Sequence, residues 1–309
     1  MKTIYVDGQM PEMTPSVATI GFFDGVHDGH CYLIKQVKDK AASLGLSSMV
    51  VTFAEHPRKV LQSEYQPQML STLEEKLELL SSTGIDTCAV LRFNKSMASM
   101  SAKDFMQQIL YRQLNVKCLV IGYDHRFGHN RAEGFDEYVE YGKQLGMDIV
   151  RSRALTVDGE NVSSSLIRHF LQQGDVVKAG QNLGYTYTIT GRVVSGFHIG
   201  RKLGFPTANI DPLGVEKMIP AAGVYAVTVK VQGATKMHYG MMNIGMRPTF
   251  QGDRLSLEVH ILDMEEDLYG KNLSISFVRR IRAERKFGSQ EELVAQLHKD
   301  KESVIKLFI

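Results

Sequence analysis

The stretch Val17-Ala-Thr-Ile20, followed by Gly21-Phe-Phe-Asp-Gly-Val-His-Asp-Gly-His30, reads as a short strand that passes through a glycine-rich loop into a helix. Residues 17–20 are apolar or β-branched, as a buried strand requires, and Gly25 and Gly29 allow a tight turn and a close approach of backbone to ligand. Leu33, Ile34, Val37 and Ala41 then mark one helical stripe. The same alternation continues to about Gly184. Strand-like runs at Ser48 to Phe53, Thr87 to Arg92, Lys117 to Ile121 and Asp148 to Ser152 are separated by helical periodicity. Thr72 with Glu75, and Ser101 with Asp104, have capping-box spacing, and Gly84 and Gly146 sit where helices should stop. Strands separated by helices predict an α/β domain with a parallel sheet, its ligand crevice beyond the carboxyl ends of the strands.

After Gly184 the period changes to two, in Tyr187 to Val194, Val224 to Val231 and Leu255 to Leu262, with turn signals at Gln232-Gly233 and Gly252-Asp253. This half predicts a small antiparallel β-barrel. A terminal helix from about Ser289, with the stripe Leu293, Leu297, Val304 and Leu307, should pack back onto it. The expected domains are 1–184 and 185–309, in keeping with a chain of 309 residues. A net charge of +2 argues against nonspecific nucleic-acid binding by the whole protein. Cys31, Cys88 and Cys118 are too few and too scattered for a disulfide framework or a zinc site. Asp7 interrupts the N-terminal stretch before a signal-peptide apolar region develops, and no eighteen apolar residues run together, so the expectation is a cytoplasmic protein without a membrane partner.

His27 and His30 form an H-x-G-H motif at the start of the first predicted helix, where free N–H groups and the helix dipole attract phosphate. Two imidazoles there suit one phosphoryl group; by residue type alone they are equally polar loop residues. The P-loop pattern with its lysine is absent. Val162-Ser-Ser-Ser-Leu-Ile-Arg168 reads by itself as an ordinary N-capped helix with a solvated arginine. In the second half the run Gly191 to Asn209 ends in Pro-Thr-Ala-Asn. If that segment is extended, Thr207 and Asn209 share a face and offer two neutral oxygens to Mg2+, whose remaining ligands are waters and substrate phosphates. The alternative is a turn after Pro206. Glu258 and His260 share a strand face opposite Leu257 and Val259, the ordinary reading being a solvent-facing glutamate. The basic run Arg279 to Lys286 raises an RNA contact, but Ile281, Ala283 and Glu284 interrupt it and no aromatic ladder accompanies it.

Gly21 to His30, together with Thr52-Phe-Ala-Glu-His-Pro57, Gly122-Tyr-Asp-His-Arg-Phe-Gly128 with Arg131, and Val162 to Arg168, resembles the H-x-G-H nucleotidyltransferase superfamily. The likeness is closest to the FMN adenylyltransferase half of prokaryotic bifunctional riboflavin kinase/FAD synthetases. The second half resembles riboflavin kinases through Gly191 to Asn209, Gly223-Val-Tyr225, Asn243 to Phe250, Leu255 to Leu262 and Leu268-Tyr-Gly270. The resemblance implies a Rossmann-like nucleotidyltransferase domain followed by a riboflavin-kinase-like barrel. Riboflavin and ATP would give FMN and ADP in the barrel, and FMN and ATP would give FAD and diphosphate in the α/β domain, both with Mg2+. It implies catalytic roles for His27, His30 and the base Glu258, and metal ligation by Thr207 and Asn209. Nucleotide binding falls to Gly21, Phe22, Phe23, Asp24, Gly25, Gly29, Ser163, Ser164, Arg168, Gly200, Arg201 and Lys202, and flavin binding to Asp124, Arg131, Arg247 and Arg285.

Four positions depart from the pattern. Ser165 and Leu166 stand where the family has threonine and arginine, Glu133 stands where glycine is usual, and Glu55 replaces a proline. A lost guanidinium and an added carboxylate should weaken phosphate binding. The rival readings are therefore a riboflavin kinase with a weakened adenylyltransferase half, and a flavin-binding regulator that contacts RNA.

Overall fold

The computed structural model describes all residues except 8–11, 62–63, 65–67, 124, 130–131, 158, 197–198, 250–251, 265 and 309, and the side chains of 60–61, 199, 247–249 and 252–253. Six parallel strands build the first half: β1 (Lys2–Val6), β2 (Ser16–Ile20), β3 (Ser47–Phe53), β4 (Thr87–Leu91), β5 (Val116–Ile121) and β6 (Asp148–Arg151). Their spatial order is β1-β4-β3-β2-β5-β6. Between them run α1 (Asp28–Leu44), α2 (Pro57–Leu61), α3 (Leu73–Ser82), α4 (Lys95–Ala98), α5 (Ala102–Phe105) and α6 (Phe135–Leu145). The chain leaves β2 toward β3 on one side and later returns to its other side as β5. This reversal opens a crevice at the carboxyl ends of β2 and β5.

Alternation along the strands sorts the apolar residues into two layers. Val17, Val50, Cys88, Val90, Cys118 and Val120 pack with Ile34, Val37 and Ala41 of α1 and Leu80 of α3. Ala18, Ile20, Met49, Val51, Ala89, Leu91, Leu119 and Ile121 face the opposite layer, which includes Phe105, Leu110 and Tyr138. The expected caps are present: Glu75 N–H donates to Thr72 Oγ1 while Thr72 N–H donates to the Glu75 carboxylate. Ser101 caps α5, and Gly84 and Gly146 take positive φ at helix ends. Strand β1 was not among the expected strands, because only Ile4 of this edge strand is buried and no alternation shows. The π-type continuation of α5 over Met106–Gln113 and the hairpin of β7 (Thr156–Val157) with β8 (Glu160–Asn161) also left no clear pattern.

In the second half β9 (Thr188–Val194), β10 (Ala208–Ile210), β11 (Gly223–Val231), β12 (Met237–Thr249), β13 (Gly252–Ile261) and β14 (Asn272–Arg282) close an antiparallel barrel in the order β10-β13-β12-β11-β14-β9. Two further helices, α7 (Ser164–Gln173) and α8 (Val176–Leu183), precede β9, α9 (Ile199–Lys202) precedes β10, and α10 covers Gln290–Phe308. Val304 packs with Phe205, Val224, Ala226 and Met241, flanked by Leu297 and Leu307 as the stripe predicted. Gly252-Asp253, read as a turn, instead begins β13. A bidentate pair of Arg282 with the buried Asp300 pins α10 to β14.

The chain divides into two compact units, Met1–Ser164 and Ser165–Ile309. This division precedes the expected boundary at Gly184 because α7 is hydrogen-bonded to the barrel and α8 lies against β14. Ala221 N–H donates to Leu171 O, and Arg280 donates to Gln173 O and Ala222 O. Among the described residues no helix is long and apolar enough to cross a membrane.

Candidate active sites

In the first unit the loop after β2 is held in an unusual backbone. Phe23, Gly25 and Val26 all have positive φ (55°, 76° and 37°), which disfavours the two residues that carry a Cβ and is sustained by burial. Asp24 fastens the loop from within. Its carboxylate accepts from Leu70 N–H at 2.9 Å and Ser71 N–H at 3.1 Å, and Gly25 N–H donates to Ser71 Oγ at 3.0 Å. Gly21 lies beneath the Phe23 ring. A Cβ on Gly29 would meet Val162 O at 2.9 Å, so this glycine permits the close approach of α1 to the segment that leads to Ser163. Ser164 Oγ completes the contact by donating to Asp24 O at 3.1 Å. The loop after β2 and the 162–164 segment thus form one assembly.

His27 is the N-cap of α1, where Nδ1 accepts from His30 N–H at 3.3 Å. An accepting Nδ1 leaves the proton of the neutral ring on Nε2. The two imidazoles stack with centroids 3.6 Å apart. Burial, reinforced by His27, His125 and Lys76, holds the His30 pKa well below its ordinary value, so this ring is neutral at pH 7. His30 keeps some exposure, while its Nδ1 is sealed and has no hydrogen-bond partner among the described residues. The pair can therefore offer neutral N–H donors to a phosphoryl group, with no imidazolium at His30. Ser163 is half-buried at the start of α7, and Arg168 lies further along that helix, within the second unit. Asp124 and Arg131 lie outside the described residues.

Beside this loop is a cavity of about 770 Å3, with Phe22, Phe53, Phe93, Phe105 and Phe127 in its walls and Arg58, Lys95 and Arg126 at its polar positions. It suits a planar aromatic ligand that carries negative charge. Glu133 does not add a carboxylate to a phosphate site: its Oε1 accepts from Ala102 N–H at 3.2 Å, at the start of α5. Glu55 is exposed and makes a 3.8 Å pair with Lys59. Sequence reasoning overlooked Lys76, whose buried ammonium lies among these groups. The available signal was a lysine on the inner stripe of α3, between Leu73 and Leu80.

In the second unit the strand register assembles the site. Asn209 of β10, Glu258 of β13 and Asn243 of β12 stand in one cross-strand row. Thr207 Oγ1 donates to Glu258 Oε2 at 3.3 Å, and Ser256 Oγ donates to Oε1 at 2.9 Å. His260, on the same strand face, meets Pro206 O at 2.8 Å; since a carbonyl only accepts, the proton is on Nδ1. Thr207, Asn243, Glu258 and His260 line a pocket of about 260 Å3 together with Gly200, Arg282 and Glu284, while Asn209 and Ser256 lie outside its lining. The glycines before Thr207 serve the protein's own packing. A Cβ on Gly196 would overlap the Asn209 amide, and one on Gly200 would overlap Phe205 O.

Arg201 and Lys202 are exposed on the short α9. Arg285 is on the pocket lining, donates to Gln296 Oε1 at 3.0 Å and covers the Phe287 ring; the Arg247 side chain lies outside the described residues. Within the basic run, Arg280 and Arg282 donate to internal acceptors. Asn243, Ser256, His260 and Glu284 were not identified as site residues in advance, because their convergence depends on strand register. Among the described residues no group of three or more histidines, cysteines or carboxylates could hold a metal ion. Hard oxygen donors that could hold a metal are Thr207 Oγ1 and the Asn209 amide oxygen, near the Glu258 carboxylate.

Residues 9–166 match the family model described as FAD synthetase, and residues 183–308 match the one described as riboflavin kinase. The chain is 37% identical to the bifunctional riboflavin kinase/FMN adenylyltransferase of Escherichia coli (strain K12), over 94% of this chain and 92% of that one. It is 38% identical to the protein of the same name from Listeria monocytogenes, over 100% of this chain and 98% of that one. A solved structure described as a macrolide-efflux protein from Streptococcus pneumoniae is 30% identical, with a TM-score of 0.87, over 98% of this chain and 99% of that one. Two models in tandem and relatives aligned from end to end lead to one conclusion: the chain belongs to the bifunctional riboflavin kinase/FMN adenylyltransferase family.

Proposed function

We propose that the chain converts riboflavin to FMN in its barrel and FMN to FAD in its α/β unit, with ATP as donor in both steps. The observation that supports this reading is a pocket in either unit bordered by part of that unit's motif segments: Phe22, Phe53, His56 and His125 to Gly128 in the first, Thr207 and Glu258 in the second. In the barrel the ribityl hydroxyl is a poor nucleophile and needs a base. Glu258 takes its proton as the oxygen attacks the γ-phosphorus, the bond to the β-phosphate oxygen breaks, and ADP leaves. Thr207 and Ser256 orient the carboxylate, and His260 holds the Pro206 carbonyl that fixes the approach to Thr207. Thr207 and Asn209 would hold Mg2+, which supplies charge neutralisation at the ATP phosphates.

In the α/β unit an FMN phosphate oxygen attacks the α-phosphorus of ATP and diphosphate leaves. The nucleophile is already ionised, so His27 and His30 act by alignment and hydrogen bonding to the developing charge. The loop amides and Ser163 frame the nucleotide phosphates, and the cationic, phenylalanine-lined cavity receives the flavin nucleotide. Dependence on ATP puts both steps in the cytoplasm. The test is incubation of purified protein with riboflavin, ATP and Mg2+ and chromatographic separation of flavins over time. FMN followed by FAD is expected; FMN alone would identify a riboflavin kinase whose first unit has lost adenylyl transfer.

A further inference from the structure

Lys76 has no place in the chemistry above, yet it is 2% exposed and lies where two strands end. Its Nζ donates to Phe22 O at 3.2 Å, just beyond β2, and to Phe53 O at 2.8 Å, the last residue of β3. Thr52 Oγ1 reinforces the first acceptor at 3.0 Å. Past these carbonyls the chain diverges into the two loops that border the large cavity. One carries Phe22, His27 and His30, and the other carries His56, Pro57 and Arg58. The loops meet again through the Phe22 and His56 rings, edge to face at 4.8 Å, and the Lys76 ammonium is 4.2 Å from the centre of the Phe22 ring. The described lining residues of that cavity include no carboxylate.

We propose that Lys76 is a positioning residue of the flavin-nucleotide cavity: its ammonium joins the exits of β2 and β3 and sets a fixed positive charge behind Phe22. This role rests on the reading of the first unit as an FMN adenylyltransferase. An ammonium suits the position because it donates in several directions from one point, whereas an apolar side chain there would leave Phe53 O without this donor. The charge acts through Phe22 and the loops on an anionic ligand, and it helps keep His30 neutral. The titratable groups that face it are Asp24, His30 and the Cys88 thiol, the last of which burial pushes up to about 12.

The test follows FMN-to-FAD conversion by the full chain, with FMN supplied. Lys76→Met should raise the KM for FMN about tenfold, with a smaller change in kcat and unchanged riboflavin phosphorylation. In the unaltered protein the KM for FMN should rise as pH passes about 8, where the buried ammonium loses its proton, and Lys76→Met should be flat across that range. Lys76→Arg, which keeps the charge, should stay within a few-fold of the unaltered KM. A Lys76→Met protein with ordinary KM and kcat overturns the proposal. If that variant does not fold, the profile of the unaltered protein decides: a KM for FMN that is constant from pH 7 to 9 overturns the assignment equally. An unaltered protein that makes no FAD overturns instead the adenylyltransferase reading.

Discussion

Replacing Lys76 by methionine should stabilise the first unit at neutral pH, even as it impairs FMN use. Burial holds the ammonium's pKa down to about 8 from an ordinary 10.5. At about 1.4 kcal/mol per tenfold, keeping the charged form inside costs the fold about 3 kcal/mol. The sign follows from linkage: folding disfavours the protonated lysine, so the cost is fully present below pH 8, shrinks as pH rises, and is gone above pH 10.5. Methionine removes that cost and also the two hydrogen bonds. Phe22 O keeps Thr52 as donor, so the loss is concentrated at Phe53 O and amounts to about 1–2 kcal/mol. The net is a gain of about 1–2 kcal/mol at pH 7, or roughly 2–8 °C in Tm for a unit of this size, turning into a loss at pH 10. Scanning calorimetry of both proteins at the two pH values measures it. A variant less stable at pH 7, or a difference that is the same at both pH values, would refute the reasoning.

Glu258→Ala should lower riboflavin phosphorylation by about 10²–10⁴-fold, the usual contribution of a general base, with FMN-to-FAD conversion intact. Undiminished FMN formation would remove Glu258 from that role. His30→Ala should slow FAD formation on the order of a hundredfold without affecting FMN formation, as expected for the loss of one transition-state donor in a separate unit. Gly196→Ala should displace the Asn209 amide and raise the Mg2+ and ATP requirement of the kinase step; unchanged metal dependence would show that Asn209 is not a ligand. A fragment of residues 165–309 should make FMN and melt at higher temperature than one of residues 185–309, because only the longer piece retains Leu171 O and Gln173 O as acceptors for Ala221 and Arg280. Equal melting temperatures would mean that α7 and α8 add nothing to the barrel.

The division into an α/β half and a barrel half was legible in the sequence because period, caps and turn residues are local properties. Thr72 and Glu75, or the stripe through Leu293, Leu297 and Val304, act within one helix and carry their meaning wherever that helix packs. The motifs that contain His27, His30, Thr207, Asn209 and Glu258 could be picked out as candidates for a similar reason, since each is a short contiguous pattern. What needed the tertiary structure was everything set by register and burial. The row of Asn209, Glu258 and Asn243 exists only when β10, β13 and β12 pair at one alignment. The assignment of α7 to the barrel unit rests on bonds that span from Leu171 to Ala221 and from Gln173 to Arg280. The neutrality of His30 and the lowered pKa of Lys76 arise because residues far apart in the chain enclose both groups, and the free energy of a charge is a property of its surroundings, which the order of residues alone does not specify.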